Sequence, residues 1–193
     1  SSNTKTSHWP AMTQDLQETI RRAQRGDRDA FSRLVEGHYA AMFSFACRYC
    51  GDRQDAQDVT QQACIKLARA IEQFRFESAF STWLYRLVIN CARDWHKAQR
   101  SRGCGERDGE LDDVPTHDNA ESAVMLRQVI ALVEQMGEGF RESLVLVLGE
   151  GLTHAEAAAI LEVKESTVSW RLHEIRKRLN AGLNAELQPG VDV

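Results

Sequence analysis

The sequence predicts an all-α protein of two small helical modules joined by a flexible linker, with a helix-turn-helix in the second module. Only three of the 193 residues are proline, and apolar residues recur at steps of three and four, the spacing of amphipathic helices. Residues 101–119 contain three glycines and one proline with few apolar side chains, which is typical of a linker. The modules are therefore expected at 13–100 and 120–185, between a disordered N-terminus (1–12) and a disordered tail (186–193).

Composition limits the classes of function. The formal net charge of −4 argues against a protein that coats nucleic acid by bulk attraction, so any DNA-binding charge must be local. No apolar stretch approaches the roughly 18 residues of a membrane span, and no signal peptide is visible. The five cysteines lack the spacing of a disulfide framework and fit reduced thiols. We therefore expect a cytoplasmic protein.

Four helices are expected in the first module. The first covers about 13–25, and the second begins after Asp27, whose carboxylate can accept hydrogen bonds from the free backbone N–H groups of that helix. Asp52 can cap the third helix in the same way. The fourth helix begins near residue 78 or 81 and continues to about residue 100.

The fourth helix carries two faces. Its apolar stripe consists of Phe80, Trp83, Leu84, Leu87, Val88, Cys91 and Trp95. Its polar, cationic stripe consists of Arg86, Asn90, Arg93, Lys97 and Arg100. A cationic stripe can follow a phosphate backbone, although a solvated face is an equally good interpretation of the stripe alone. The preceding loop, 74–79, combines aromatic, charged and hydroxyl side chains of the kind that can receive an extruded base.

Residues 152–179 predict the helix-turn-helix. Thr153 and Glu156 have the spacing of a capping box, Val163 can fill the turn, and Ser166 can cap the second helix. The second helix carries an apolar stripe made of Val168, Leu172, Ile175 and Leu179. Basic residues lie largely outside this stripe, which suits the major groove of DNA. An ordinary helical hairpin with a solvated basic face is the alternative.

No motif indicates catalysis or a metal site. Cys47 and Cys50 form a lone CxxC without a second pair or a histidine cluster, which favours two buried thiols over half a metal site. The six histidines are scattered singly, and the sequence has no P-loop, Gly-rich dinucleotide turn or paired-carboxylate motif. We expect no enzymatic activity, no catalytic residues, no metal and no cofactor.

Several strings resemble the bacterial extracytoplasmic-function (ECF) sigma factors of the sigma-70 family. Asp-Val-Thr-Gln-Gln at 58–62 and Phe-Ser-Thr-Trp-Leu-Tyr-Arg-Leu-Val-Ile-Asn at 80–90 resemble the core of these proteins. The helix-turn-helix at 152–179 resembles their C-terminal module. The similarity extends over about 13–182, in the family's order and with a linker between the modules.

The resemblance implies a transcription initiation factor that binds core RNA polymerase, recognises the minus-35 and minus-10 promoter elements and promotes promoter melting. It assigns docking on the β′ clamp helices to Asp58, Gln61 and Gln62 and places the C-terminal module on the β flap. It assigns the minus-10 element to Phe76, Glu77, Ser78, Ala79, Arg86, Asn90, Arg93, Lys97 and Arg100. It assigns the minus-35 element to Lys164, Ser166, Thr167, Ser169, Trp170, Arg171 and Arg176. It further implies an anti-sigma factor, in this family often membrane-anchored, and no small-molecule substrate.

The recognition helix departs from the family pattern. Glu162 stands where relatives often have glycine, and a left-handed residue with a Cβ costs roughly 1–2 kcal/mol. Ser169 and Trp170 replace a basic and a small residue, and Glu174 adds a negative charge. We therefore expect fewer phosphate contacts, with Arg171 as the best candidate for a base or phosphate contact.

Two other classes of protein remain open from the residues alone. An autonomous helix-turn-helix repressor would bind duplex DNA without polymerase, but it usually requires a symmetric dimer. An adaptor that inhibits polymerase would not need a basic recognition helix.

Overall fold

All regular structure is helical in the residues that the computed structural model describes, 12–101 and 120–186. The helices are α1 (Gln14–Gln24), α2 (Arg28–Cys50), α3 (Arg53–Ala70), α4 (Phe80–Ser101), α5 (Ala120–Glu134), α6 (Phe140–Leu144), α7 (His154–Leu161) and α8 (Glu165–Glu186). A 3₁₀ turn (Ile71–Gln73) follows α3, and a π-helical turn (Val145–Gly149) follows α6. The fold class is confirmed, while the expectations for 1–11, 102–119 and 187–193 lie outside the described residues.

The starts of α2 and α3 are those that the predicted caps Asp27 and Asp52 indicate, and Thr13 adds a cap that was not predicted from the sequence. Thr13 Oγ1 accepts a hydrogen bond from the Leu16 N–H at 3.1 Å, ahead of α1. The Asp27 carboxylate accepts from two N–H groups of the first turn of α2, each at 3.0 Å. Asp52 accepts from Asp55 N–H at 2.9 Å. Each cap satisfies backbone donors that have no partner inside the helix.

The core of the first module lies around α2, which packs against α1, α3 and α4. Phe45, Phe80 and Leu84 are almost completely buried. The apolar stripe predicted for α4 lies in or beside this core, with Trp83 and Trp95 only partly buried at its edge. The tryptophans are therefore packing residues, as expected.

A π-helical turn ends the second helix of the second module. The apolar run at 140–148, with Gly149 behind it, predicts one helix, and the chain is helical over 140–149, as α6 followed by the π-helical turn. In that turn Glu150 N–H donates to Val145 O at 2.9 Å, one residue farther back than in an α-helix. The change of hydrogen-bonding pattern was not predicted, because the local pattern is equally apolar in both geometries.

The helix-turn-helix is formed by α7 and α8. The capping box is confirmed, since Thr153 N–H donates to Glu156 Oε2 at 2.8 Å and Glu156 N–H donates to Thr153 Oγ1 at 3.2 Å. Glu162 adopts the left-handed conformation, with φ of 57°. The cap expected from Ser166 is absent, because α8 begins at Glu165 and Ser166 lies within its first turn.

The two modules pack against each other. Helix α4 contacts α7, and α2 contacts the π-helical turn. The sequence predicts modules on a flexible tether and leaves their relative position open. The structure therefore adds an interface that the sequence did not predict.

His38 gives the first module a pH dependence. The side chain is buried in α2, and Nδ1 lies 2.7 Å from Leu34 O. Burial lowers the pKa of His38 below its ordinary value of 6.5, against the opposing effect of the Leu34 hydrogen bond. Below the ordinary value the unfolded chain binds more protons than the folded chain, so stability falls as pH drops through about 6.5. We predict a lower urea midpoint at about pH 5.5 than at about pH 7.5.

The control is a histidine in a different environment. His38→Gln should reduce the difference between the two midpoints, whereas His173→Gln, at an exposed position of α8, should leave it unchanged. Equal pH dependence in all three proteins would contradict this interpretation.

Candidate nucleic-acid interface

The loop before α4 is held in a defined shape. Phe76 has a left-handed backbone, with φ of 61°, which is rare for a bulky residue. Its ring contacts Phe74 (centroids 4.9 Å apart), and the Arg21 guanidinium lies 5.3 Å from its centroid. Glu77 and Ala79 are exposed, and Ser78 is half-buried. Of the four residues predicted here, Phe76 forms the floor of the loop and the other three form its accessible surface.

Gln24 of α1 fixes this loop from behind. Its side-chain Nε2 donates to Ile71 O at 3.0 Å and to Phe74 O at 2.8 Å. These bonds satisfy carbonyl groups where the 3₁₀ turn gives way to extended chain. Sequence reasoning missed Gln24, because a lone glutamine 47 residues from its partner carries no local signal.

A groove of about 480 Å³ lies between α3 and α4. It brings together the predicted residues Arg86 and Asn90 with Trp83 from the edge of the core. Leu87 of α4 also lines the groove. The rest of the lining comes from residues of α3 and the following turn that sequence reasoning missed: Lys66, Arg69, Ala70 and Gln73. Their spacing of three and four residues was the available signal. The groove carries three basic side chains, of which Lys66 pairs with Asp94 at 2.8 Å and Arg86 with Glu162 at 3.2 Å. Basic side chains beside one aromatic wall suit a single strand of nucleic acid.

The cationic stripe of α4 runs along the junction with the second module. Arg86 Nη2 donates to Ala159 O at 2.7 Å, and Arg86 Nε donates to Ile160 O at 3.2 Å. Arg93 Nε donates to Glu142 Oε1 at 2.6 Å. Two of the five stripe residues are therefore held by the second module, while Asn90 stays exposed in the groove.

The remaining two stripe residues line a second cavity of about 660 Å³ at the same junction. Lys97 and Arg100 lie there beside Glu134, which accepts hydrogen bonds from His96 at 2.9 Å and from Arg141. The His96 hydrogen bond, with help from the positive charge of Arg141, lowers the pKa of Glu134 against the effect of burial. The carboxylate is therefore ionised at neutral pH and balances this basic wall.

The surface of α3 presents the residues predicted for polymerase docking. Asp58, Gln61 and Gln62 are all exposed, whereas Val59 and Ala63 of the same helix are buried in the core. Ile65, one turn farther along, is 44% exposed, and sequence reasoning missed it. An apolar residue beside polar ones is typical of a protein-binding surface.

The recognition helix α8 exposes most of its predicted residues. Lys164, Ser166, Trp170 and Arg176 are exposed, and Thr167 and Ser169 are half-buried. His154 of α7 lies with Nδ1 2.8 Å from Ser169 Oγ. The side chain of Trp170 remains 55% exposed although its ring contacts Phe140 edge-on at 5.5 Å.

Arg171 lies differently from the other predicted residues of α8. Its guanidinium packs against α6, with Cζ 6.0 Å from the Phe140 ring centroid and Nη1 3.5 Å from Ser143 Oγ. A Cβ added at Gly139 would lie 2.4 Å from Arg171 Cζ, so the guanidinium covers that glycine. The geometry favours a packing role for Arg171 within the module.

Cys47 is buried and Cys50 is partly buried, both as free thiols. Burial raises the pKa of both thiols, so they stay protonated at neutral pH and are poor nucleophiles. Among the side chains that the structure describes, no group of three or more His, Cys, Asp or Glu is placed to hold a metal ion. The described helices also include none that is long and apolar enough to cross a membrane.

Known protein families match both helical modules. The family model for sigma-70 region 2 matches residues 34–102, and the family model for sigma-70 region 4 matches residues 126–179. Both helical modules are thus those of a sigma factor of the sigma-70 type.

Individual relatives show to which group of sigma factors the chain belongs. The ECF RNA polymerase sigma-E factor of Haemophilus influenzae is 34% identical over 175 residues, 84% of this chain and 92% of the relative. The sigma-E factor of Escherichia coli K12 is 32% identical over 85% of this chain and 92% of the relative. The RNA polymerase sigma-H factor of Pseudomonas aeruginosa is 32% identical over 89% of this chain and 95% of the relative. The chain belongs to the ECF sigma factors.

Solved structures share the fold. The structure of CnrH in complex with the cytosolic domain of CnrY superposes with a TM-score of 0.62 and 26% identity, over 87% of this chain and 96% of that chain. The sigma factor RpoE from Bartonella quintana, solved with the anti-sigma factor NepR, has a TM-score of 0.55 and 22% identity, over 80% and 96% of the two chains.

Arg171 and Arg176 offer a matched pair for a test of the recognition helix. We predict that Arg171→Ala lowers the free energy of unfolding by about 1–2 kcal/mol, because the side chain packs on α6. Arg176→Ala, at an exposed position, should change stability by less than about 0.5 kcal/mol. Urea unfolding of both variants is the measurement. The opposite result would be unchanged stability in Arg171→Ala together with a loss of about 1–3 kcal/mol in binding free energy at one promoter position. That result would show that Arg171 reads a base.

Proposed function

We propose that this ECF sigma factor binds core RNA polymerase through α3 and contacts promoter DNA through both modules, with no enzymatic activity of its own. The observation that supports this most is the ordered pair of matches, region 2 at 34–102 and region 4 at 126–179. Each match covers most of one helical module, and the first begins within α2. We propose functional boundaries at 13–100 and 120–185, with 101–119 as linker.

The minus-10 element is proposed to occupy the groove between α3 and α4. Lys66, Arg69 and Arg86 would contact phosphates there, and Asn90 offers an amide for a base edge or a sugar. Trp83 gives the groove its aromatic wall. The loop 76–79 would take one base that has left the stack, with polar groups at its surface and the Phe76 ring beneath.

Core polymerase is proposed to dock on the exposed face of α3. Asp58, Gln61 and Gln62 supply hydrogen-bonding groups, and Ile65 supplies the apolar contact that the sequence alone did not reveal. The exposure of these four residues supports the assignment. The side chains of this face project away from the core-facing stripe of the same helix, so docking leaves the module's packing intact.

The minus-35 element is proposed to meet the N-terminal half of α8. Lys164, Ser166 and Trp170 are exposed there and can reach a groove or its phosphates. Thr167 and Ser169 lie partly covered behind them. Arg176 extends this surface by nearly two helical turns.

A protein partner is also proposed. CnrH, which shares the fold at 26% identity, was solved in complex with the cytosolic domain of CnrY. The family resemblance makes an anti-sigma factor the expected class of partner, and the exposed docking face on α3 is the surface that such a partner would have to cover to block polymerase.

The test is run-off transcription with purified protein and bacterial core RNA polymerase on genomic promoter fragments, with each component omitted in turn. Specific transcripts that require both components would support the proposal and give the promoter elements. If no transcript appears, and the protein alone shifts duplex DNA with specificity at physiological salt, an autonomous repressor is the correct interpretation.

A charge reversal tests the docking face. We predict that Asp58→Arg weakens binding to core polymerase about tenfold or more. The substitution would place a positive charge where the proposed interface is matched to a carboxylate. The variant should fold normally, since Asp58 is exposed. Affinity for core polymerase in solution, with circular dichroism to monitor folding, is the measurement.

Glu36→Arg is the matched control, with the same charge change at an exposed position of α2. It should bind core polymerase like the unmodified chain. Equal affinities for the two variants would remove α3 as the docking surface.

A further inference from the structure

We propose that the free chain is closed on itself, with the second module occupying the arginines of α4 that would otherwise contact promoter DNA. This inference rests on the proposed function, because it assumes that α4 faces the minus-10 element. It adds a means of regulation, because promoter DNA and the second module would compete for the same arginines of α4. Nothing in the sequence predicted this contact.

Arg93 supplies the first point of competition. Its Nε lies 2.6 Å from Glu142 Oε1, and the Glu142 side chain is only 4% exposed. The same carboxylate oxygen also accepts from the Tyr49 hydroxyl at 3.3 Å. A carboxylate oxygen offers a guanidinium the same charge-assisted hydrogen bond as a phosphate oxygen. Glu142 therefore stands where a DNA phosphate would bind.

Arg86 supplies the second point. It donates to Ala159 O and Ile160 O, two carbonyls in the last turn of α7 that have no partner within the helix. The negative end of the helix dipole lies at the same place. Arg86 thus completes the C-terminus of the first helix of the helix-turn-helix, and it would have to leave that position to reach DNA.

Glu150 anchors the closed arrangement without touching the DNA-binding residues. Its side chain is 1% exposed, and its two oxygens accept from Arg48 Nη1 at 2.6 Å and from the Tyr85 hydroxyl at 3.0 Å. Both donors belong to the first module. A buried carboxylate with its donors on another module fixes the register of docking, because any other position would leave the charge unpaired.

The junction combines apolar packing with polar contacts, because buried apolar residues of both modules form one continuous core. The ion pairs and hydrogen bonds regain water when the modules part, and interfaces between domains of one chain commonly separate. Asp58, Gln61 and Gln62 remain exposed in the closed form. Polymerase can therefore dock on α3 first, and its differential affinity for the open form would release Arg86 and Arg93 for DNA.

The experiment compares neutral isosteric variants. Glu142→Gln/Glu150→Gln removes the two buried carboxylate charges at the junction and leaves Glu134 beside His96 and Glu162 beside Arg86. Asp15→Asn/Glu36→Gln removes two charges at exposed positions of α1 and α2. The probes are small-angle X-ray scattering and the affinity for a labelled single-stranded DNA of mixed sequence, about 12 nucleotides long. We expect the first variant to have a larger radius of gyration and to bind this DNA about fivefold tighter or more, because its competent fraction rises. The control variant should have the radius of gyration of the unmodified chain. Its affinity for the DNA should rise far less, and only by as much as the change in net charge explains.

A charge swap keeps the test independent of DNA. Arg48→Glu should open the chain, and adding Glu150→Arg should restore the compact radius, since the pair is re-formed with reversed polarity. Arg48 has no assigned role toward DNA or polymerase. Circular dichroism confirms that each variant keeps its helices.

Two outcomes overturn the inference: an unchanged radius in both opening variants, or a DNA affinity equal to that of the control. Failure of the proposed function is visible separately in run-off transcription. Opening without polymerase-dependent transcripts would leave the closed state standing and remove the promoter role. Promoter-specific transcription without any opening would support the promoter role and contradict the closed state.

Discussion

The burial of one stripe of α4 is the constraint from which both binding surfaces follow. Phe80, Leu84 and Val88 are almost completely buried, and with 3.6 residues per turn this fixes the rotation of the helix about its axis. Arg86 and Arg93 stand seven residues apart, so they share the face beside the second module. A helix that formed the core with a different stripe would offer that module no partner.

The π-helical turn decides what the second module brings to this face. An additional residue in one turn rotates everything that follows by about 100° relative to a regular α-helix. After this shift Glu150 meets Arg48 and Tyr85, whereas Glu142, ahead of the turn, meets Arg93. The turn itself is apolar and separates these two acidic residues of the interface.

Local interactions made much of the fold predictable, and distant interactions set the limit. Thr13, Asp27 and Asp52 cap helices through groups two or three residues away, so the sequence contains the whole interaction. The Arg48–Glu150 pair spans 102 residues, and no pattern within either helix encodes it. Arg171 illustrates the same limit at the site, since its position outside the apolar stripe suggested DNA while its guanidinium packs on α6. The exposed polar residues of α3 were easier to place, because the alternation with buried Val59 and Ala63 leaves only one outward face.

The buried thiols limit what this chain can sense. Burial raises the pKa of Cys47, Cys50, Cys64 and Cys91, and oxidants react with the thiolate rather than with the thiol. At neutral pH these four sulfurs are therefore slow to respond to peroxide or disulfide stress. As far as these four thiols are concerned, the chain is a poor detector of oxidants.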